Sequence, residues 1–196
     1  MNSILLNNKK FNFSLNELPC LLVGQEKSGV SAFSISLITN LFLQGHKVLF
    51  LTAFPMATEN FLNQVEEYKN DVGIVATEED LQKFLTKQAI LIKSGDTTLF
   101  RYVFSNLIDI KERVVFIKNI DYFDSRLIEI VLPHKNLILS GVLEECPAKE
   151  TILEHRFNSY VTFSPSNLLK TNIPLLEKYQ GYYFSDVEKG FVALQM

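Results

Sequence analysis

The sequence is poor in the residues that mark several protein classes: it has no tryptophan, two cysteines, eight glycines and six prolines among 196 residues. So little glycine and proline excludes a collagen-like or low-complexity chain. Cys20 and Cys146 are too few for the disulfide framework of a small secreted domain, and their spacing matches no metal-binding motif. We therefore expect a folded protein of a reducing compartment, the cytoplasm.

Long hydrophobic runs and an excess of positive charge are also missing. No stretch approaches the roughly 18 consecutive apolar residues of a membrane span. The first 14 residues lack the basic flank and apolar run of a signal peptide. The 19 lysines and arginines are scattered and face 22 acids, which gives a net charge of −3. Because nucleic-acid surfaces need clustered cations, we do not expect direct nucleic-acid binding. Because long apolar runs are missing, we do not expect a membrane partner.

No group of side chains has the spacing of a metal site or of an acid–base pair. The histidines, His46, His134 and His155, are far apart and have no cysteine or paired carboxylate at ligand spacing. Neighbouring carboxylates occur at 66–67, 78–80 and 144–145, where adjacent side chains on a helix point apart. We expect no metal ion and no catalytic residue among them.

Apolar runs rich in valine, isoleucine, leucine and phenylalanine alternate with segments of helical period, a pattern typical of an α/β protein. The predicted strands are 20–23, 47–52, 113–117, 136–140 and 160–163, with weaker candidates at 72–76 and 89–92. Four or five of them are expected to form a parallel central sheet. The predicted helices are 28–43, 58–68, 81–87, 96–109, 125–132 and 147–156. No linker interrupts the pattern, which predicts a single domain over residues 1–196.

The C-terminal segment has a different pattern. Residues 181–185 and 191–194 are two β runs around a turn, which predicts an antiparallel hairpin at the edge of the sheet. Aromatic residues in both terminal segments are expected to pack at sheet edges or against another subunit: Phe11, Phe13, Tyr182, Tyr183, Phe184 and Phe191. We therefore hypothesise that these residues form a surface for a partner.

One segment has the spacing of a phosphate-binding loop. It comprises Gly24, Gln25, Glu26, Lys27, Ser28, Gly29, Val30 and Ser31, between an apolar strand and an amphipathic helix. It resembles the motif G-x-x-x-x-G-K-[S/T], except that Val30 occupies the lysine position. The backbone N–H groups of such a loop attract an anion whatever its side chains are. Val30 has no charge for the β- and γ-phosphates, and Lys27 is the loop lysine that could replace the missing one.

The order of strands and helices from residue 19 to about residue 164, closed by the hairpin, is similar to that of the RecA and KaiC-like P-loop ATPases. The resemblance implies a RecA-like three-layer αβα sandwich with a mostly parallel central sheet and a C-terminal antiparallel hairpin. In that family a catalytic glutamate follows the second strand. Here the second strand runs into Ala53, Phe54 and Pro55, and the nearest acid, Glu59, falls inside the next helix.

The family's magnesium-positioning aspartate ends a later apolar strand. In this chain Lys118 and Asn119 follow the corresponding strand, and Asp121 is an alternative metal ligand only if the strand end is shifted. A cation at this position opposes Mg²⁺, which needs hard oxygen ligands. We refer to these residues, Lys118, Asn119 and Asp121, as the degenerate Walker B region.

Loss of all three charged groups should remove most of the acceleration of phosphoryl transfer, because electrostatic stabilisation supplies it. The resemblance therefore implies a pseudo-ATPase with no cofactor, a non-enzymatic subunit or scaffold of a homo-oligomer or of a hetero-oligomer with RecA-like subunits. The alternatives are a slow ATPase or a nucleotide sensor. In the slow ATPase Lys27 replaces the missing lysine and Asp121 or Asp124 holds Mg²⁺ beside ATP.

Overall fold

The computed structural model describes residues 3–6, 9–13, 15–93, 95–163, 180–185 and 190–195. For 3–6, 9–12, 180, 182, 185 and 190–195 the description is restricted to the backbone. Within these residues the chain forms two sheets, a short N-terminal hairpin of β1 (Ser3–Leu6) and β2 (Lys9–Asn12) and a large mixed sheet of nine strands.

The large sheet consists of seven parallel strands and one antiparallel hairpin. In chain order the parallel strands are β3 (Cys20–Val23), β4 (Val48–Thr52), β5 (Val72–Val75), β6 (Ala89–Ile92), β7 (Val114–Lys118), β8 (Leu137–Gly141) and β9 (Ser159–Thr162). The hairpin strands are β10 (Gln180–Ser185) and β11 (Gly190–Gln195). The spatial order is β11-β10-β9-β3-β8-β7-β4-β6-β5. The expectation of four or five central strands was too low, because the weak candidates β5 and β6 also pair in parallel.

In the described part of the chain, six α-helices cover the two faces of this sheet. They are α1 (Val30–Leu43), α2 (Pro55–Gln64), α3 (Glu78–Phe84), α4 (Thr97–Asn106), α5 (Ser125–Val131) and α6 (Lys149–Glu154). Successive residues of a strand point to opposite faces. Leu22, Phe50 and Phe116 therefore pack with α1 and α2, whereas the residues that alternate with them pack with the other four helices. The RecA-like three-layer sandwich with a C-terminal hairpin is confirmed.

The helix ends differ from the predicted ones for local reasons. Helix α1 begins at Val30, two residues late, because Gly29 has a φ of 102° and cannot belong to the helix. Helix α2 begins early, at Pro55, since proline suits the first helical position. It also ends early, and residues 66–71 form 3-10 turns.

The terminal aromatic residues whose side chains are described pack within this chain, which is the first of the two expected alternatives. Phe13 and Tyr183 are buried in the core beneath α1. Phe184 is half-buried and its ring lies 6.4 Å from that of Tyr160. The side chains of Phe11, Tyr182 and Phe191 lie outside the described residues.

The N-terminal segment forms a hairpin that was not predicted. Strands β1 (Ser3–Leu6) and β2 (Lys9–Asn12) pair antiparallel, and β1 lies against α1. Among the described residues, no helix is both long and apolar enough to cross a membrane.

Candidate functional site

The candidate site lies at the carboxyl end of the parallel strands, where ligands of open α/β sheets usually bind. The loop that follows β3, the ends of β7 and β8, and the start of α2 surround a cavity of about 950 Å³. The sequence-predicted residues Lys27, Val30 and Ser31 line it together with Lys118 and Asp121. The fold thus brings the phosphate-loop segment and the degenerate Walker B region to one place.

The phosphate-loop segment turns sharply before it enters α1. Lys27 and Gly29 both have positive φ, 60° and 102°, and Gly29 is the residue that precedes the helix. In the described part of the chain, no backbone carbonyl accepts from the N–H groups of residues 29–32. These donors and the positive end of α1 lie next to the cavity, an arrangement that can hold an anion.

Lys118 is the last residue of β7 and reaches the phosphate loop. Its Nζ donates to Ser31 Oγ at 2.9 Å and lies 3.4 Å from Asn119 Oδ1. The residue is only 5% exposed. Burial lowers the pKa of the Lys118 ammonium, and the nearby Asp121 carboxylate opposes that shift. The Ser31 hydroxyl at the start of α1 therefore contacts a buried ammonium group.

A period-two pattern is the sequence signal that indicates which face of the sheet Lys118 lies on. Lys118 lies two residues after Phe116 and therefore on the same face of the sheet, the face that packs on α1. Ser31 belongs to the first turn of that helix. The sequence analysis treated Lys118 only as a cation that opposes Mg²⁺ and missed the hydroxyl it contacts.

Asp121 is held in place by backbone rather than by a cation. Its Oδ1 accepts from the Val142 N–H at 2.9 Å, just after β8. The strand end is not shifted, because β7 ends at Lys118. A Cβ atom on Gly141 would approach Asp121 Oδ1 within 2.4 Å, so the absence of a side chain there permits this packing. Asp121 lines the cavity, and one of its two carboxylate oxygens accepts this hydrogen bond.

Two other acids, Asp124 and Glu59, differ in whether they line the cavity. Asp124 does not line the cavity: its carboxylate caps α5 by accepting from Leu127 N–H at 2.8 Å and pairs with Arg101 at 2.7 Å. The expectation that Asp124 could hold a metal ion is therefore wrong. Glu59 does line the cavity, because α2 begins directly after β4 and turns its first half toward the phosphate loop.

Histidines and cysteines take no part in this site. In the described ranges, no three His, Cys, Asp or Glu side chains lie close enough to hold a metal ion. Cys20 and Cys146 are both free and buried, and burial raises the pKa of the Cys20 thiol to about 12. Neither thiol has the exposure or the acidity of a nucleophile.

An exposed apolar patch borders the cavity. Phe54, Met56 and Tyr122 are 41%, 70% and 59% exposed, and the rings of Phe54 and Tyr122 meet edge to face at 4.6 Å. All three line the cavity at the ends of β4 and β7. We call these three residues the rim patch.

The fold of this chain is similar to that of several solved structures. The genome packaging NTPase B204 from Sulfolobus turreted icosahedral virus 2, in complex with ATP-gammaS, superposes with a TM-score of 0.63 over 94% of this chain and 100% of that one. The chain has the fold of a P-loop ATPase. The DNA-packaging ATPase B204 from Sulfolobus Turreted Icosahedral Virus gives a TM-score of 0.64, over 90% and 97% of the two chains.

A third similar structure is the cytoplasmic domain of EssC, with a TM-score of 0.57 over all of this chain and 42% of that one. The sequence identities to the three structures are 15%, 13% and 12%, so the likeness extends to the fold alone. No family model and no curated protein matches the sequence.

Proposed function

We propose that this chain is a RecA and KaiC-like P-loop domain that does not hydrolyse ATP and serves as a non-enzymatic subunit of an oligomer. The contact between Lys118 Nζ and Ser31 Oγ carries the proposal. Mg²⁺ in a P-loop site is bound by this hydroxyl and by an aspartate at the end of the Walker B strand. A buried ammonium on the hydroxyl occupies the magnesium position, and Lys118 itself replaces the aspartate.

Phosphoryl transfer needs positive charge placed on the bridging oxygens and an oriented nucleophile. Val30 offers no charge to the phosphates, and Lys118 ends the strand where the resemblance implies the magnesium-positioning aspartate. Asp121 accepts the Val142 N–H through one of its two oxygens. The site therefore retains the backbone cradle for an anion without the groups that act on it. Binding without turnover follows from this combination.

Phosphate release from Mg·ATP tests the proposal. Purified wild-type chain should release phosphate no faster than a Ser31→Ala variant, in which the loop hydroxyl is gone. Turnover in the wild type that disappears in Ser31→Ala would refute the proposed loss of hydrolysis. The double variant Val30→Lys/Lys118→Asp restores both family charges, and it should gain Mg²⁺-dependent binding of ATP.

The rim patch supports the oligomeric part of the proposal. Exposed apolar side chains that cluster rather than scatter mark interaction sites. Phe54, Met56 and Tyr122 lie at the opening of the cavity, so a second subunit packed on them would close the site.

Sedimentation at several protein concentrations tests this surface. The double variant Met56→Asp/Tyr122→Ser should sediment as a smaller species than the wild type. Ile108, which is 94% exposed and does not line the cavity, supplies the matched control, and Ile108→Ser should sediment as the wild type does. A wild type that stays monomeric at the highest concentration contradicts self-association.

A slow ATPase is the second candidate function, because Lys27 and Glu59 line the same cavity. In that case Lys27 would supply the phosphate-binding charge and Glu59 would orient water. Phosphate release would then fall in both Lys27→Ala and Glu59→Gln. Equal background release from all three proteins excludes this candidate.

A further inference from the structure

The candidate site contains its own cation. A lysine ammonium has three N–H donors. Ser31 Oγ and Asn119 Oδ1 account for two of the donors of Lys118 among the described residues, at 2.9 and 3.4 Å. A third remains for an oxygen of a ligand in the cavity that Lys118 lines.

The same geometry disfavours a magnesium ion. Mg²⁺ binds oxygen ligands at about 2.0–2.1 Å, so an ion on Ser31 Oγ would lie in close contact with the ammonium 2.9 Å from that oxygen. Two positive charges at such a distance repel strongly inside a protein, where screening is weak. Ser31 Oγ can therefore accept a hydrogen bond from the ammonium or bind the metal ion, but not both.

We propose that Lys118 is the built-in counter-cation of the phosphate site and that the site takes the phosphate chain of a nucleotide free of Mg²⁺. This inference rests on the proposed function, since it assigns the charge of the ligand in the same loop. Lys118 thereby substitutes both for the loop lysine that Val30 replaces and for the metal. Mg²⁺ weakens binding, because it withdraws the free nucleotide into a complex that the site does not accept.

The charges around the cavity make Lys118 decisive for this binding. Glu26, Glu59 and Asp121 line the cavity together with Lys27 and Lys118, so three carboxylates face two ammonium groups. Lys27 is exposed at the outer turn of the loop, whereas Lys118 is buried against the start of α1. A phosphate chain seated on the N–H groups of residues 29–32 therefore meets Lys118 first.

Titration with MANT-ADP, a fluorescent ADP, tests the inference on the full chain. The wild type should bind the probe in excess EDTA and bind it more weakly in excess Mg²⁺. Lys118→Met should lose about tenfold or more of the affinity in EDTA, as expected for removal of a buried charge-assisted hydrogen bond. Lys118→Asp should bind only with Mg²⁺ present. Lys135→Met, which removes an exposed lysine outside the cavity, should bind as the wild type does.

Four results overturn the inference. They are tighter binding in Mg²⁺ than in EDTA by the wild type, equal affinity of Lys118→Met and wild type, absence of binding in EDTA, and a larger loss of affinity in Lys27→Met than in Lys118→Met. Thermal unfolding of each variant shows that it is folded. None of these binding results tests hydrolysis. The proposed function fails separately, if the wild type releases phosphate from Mg·ATP.

Discussion

At the scale of single residues, Arg113 contributes the most concentrated polar network of the described chain. It is fully buried just before β7, and its Nε and Nη2 donate to the Asp109 carboxylate at 2.8 and 3.1 Å. Its Nη1 donates to the carbonyls of residues 48 and 88, and its Nη2 also lies within hydrogen-bond distance of the carbonyls of residues 85 and 87. The guanidinium therefore ties together the amino ends of three strands and satisfies carbonyls that water does not reach.

Replacement of this guanidinium should be costly. We expect Arg113→Met to lower the free energy of unfolding by about 3–5 kcal/mol, because it removes the buried partner of the Asp109 carboxylate and leaves several carbonyls unpaired. Arg113→Lys should recover only part of the loss, since an ammonium lacks the planar set of N–H donors with which a guanidinium binds several oxygens at once. Urea unfolding measures both. Arg126, which is exposed, provides the control: Arg126→Met should change the value by less than about 0.5 kcal/mol.

The partner carboxylate makes stability depend on pH. Burial alone would raise the pKa of Asp109, but hydrogen bonds from Arg113 and Lys47 outweigh it and lower the pKa. A lowered folded-state pKa stabilises the protein above the carboxyl's ordinary pKa, and this contribution is lost as pH falls through the folded-state value.

Asp109→Asn should therefore destabilise the protein by about 1–3 kcal/mol at neutral pH, and the difference from the wild type should shrink in acid. Urea unfolding across the acid range measures it. The exposed Glu112 lies 3.9 Å from Lys47, and Glu112→Gln should have a small effect at every pH. If the destabilisation by Asp109→Asn does not change with pH, ionisation of the Asp109 carboxyl is not its cause.

At the scale of elements, helix α1 is defined by a glycine at each end. Gly29 precedes it with a φ of 102° and Gly45 follows it with a φ of 89°. After Gly45 the His46 N–H donates to the Leu41 carbonyl at 3.1 Å, and the Gly45 N–H donates to Phe42 at 2.9 Å. This pair of hydrogen bonds is the Schellman motif that closes helices.

Gly45 allows the backbone cost of this motif to be measured alone. A Cβ atom there would meet nothing within 4 Å, so Gly45→Ala should destabilise the protein by about 1–2 kcal/mol through the left-handed backbone only. Gly45→Asn should cost less, because asparagine tolerates that conformation. Thermal unfolding of the two variants measures the order, and an alanine variant as stable as the wild type contradicts it.

At the scale of the whole molecule, one sheet supports both apolar layers. Leu49 and Phe50 are neighbours in β4, yet they belong to the cores on opposite faces. Neither layer can be lost without exposing the strands that the other one needs. The single domain predicted over residues 1–196 should therefore unfold in one transition.

Coincident unfolding curves test this expectation. Far-ultraviolet circular dichroism and the fluorescence of the seven tyrosines should give the same midpoint in urea. Two separate midpoints would mean that the chain contains more than one cooperative unit. An Ile108→Ser variant, altered at a side chain that is 94% exposed, should keep the wild-type midpoint and serves as the control.

Much of the fold was predictable, because burial on both faces makes strands such as Leu137–Gly141 continuous apolar runs. The roles of the acids were less predictable. Asp121 and Asp124 are three residues apart and equally polar, yet one lines the cavity and the other caps α5. Their separation depends on the short turn after β7, whose geometry a residue pattern does not encode.

The sequence by itself determined the α/β layering, the loop between Gly24 and Ser31 and the loss of the loop lysine, since apolar period, glycine spacing and residue identity are local properties. Only the tertiary structure decided where the charge of the site comes from. Lys118 and Ser31 are 87 positions apart, and β8 lies between β7, which ends at Lys118, and β3, the strand that precedes the loop of Ser31. Such a contact exists only once the strands are ordered, because the strand order, and not the spacing along the chain, brings the ammonium to the hydroxyl.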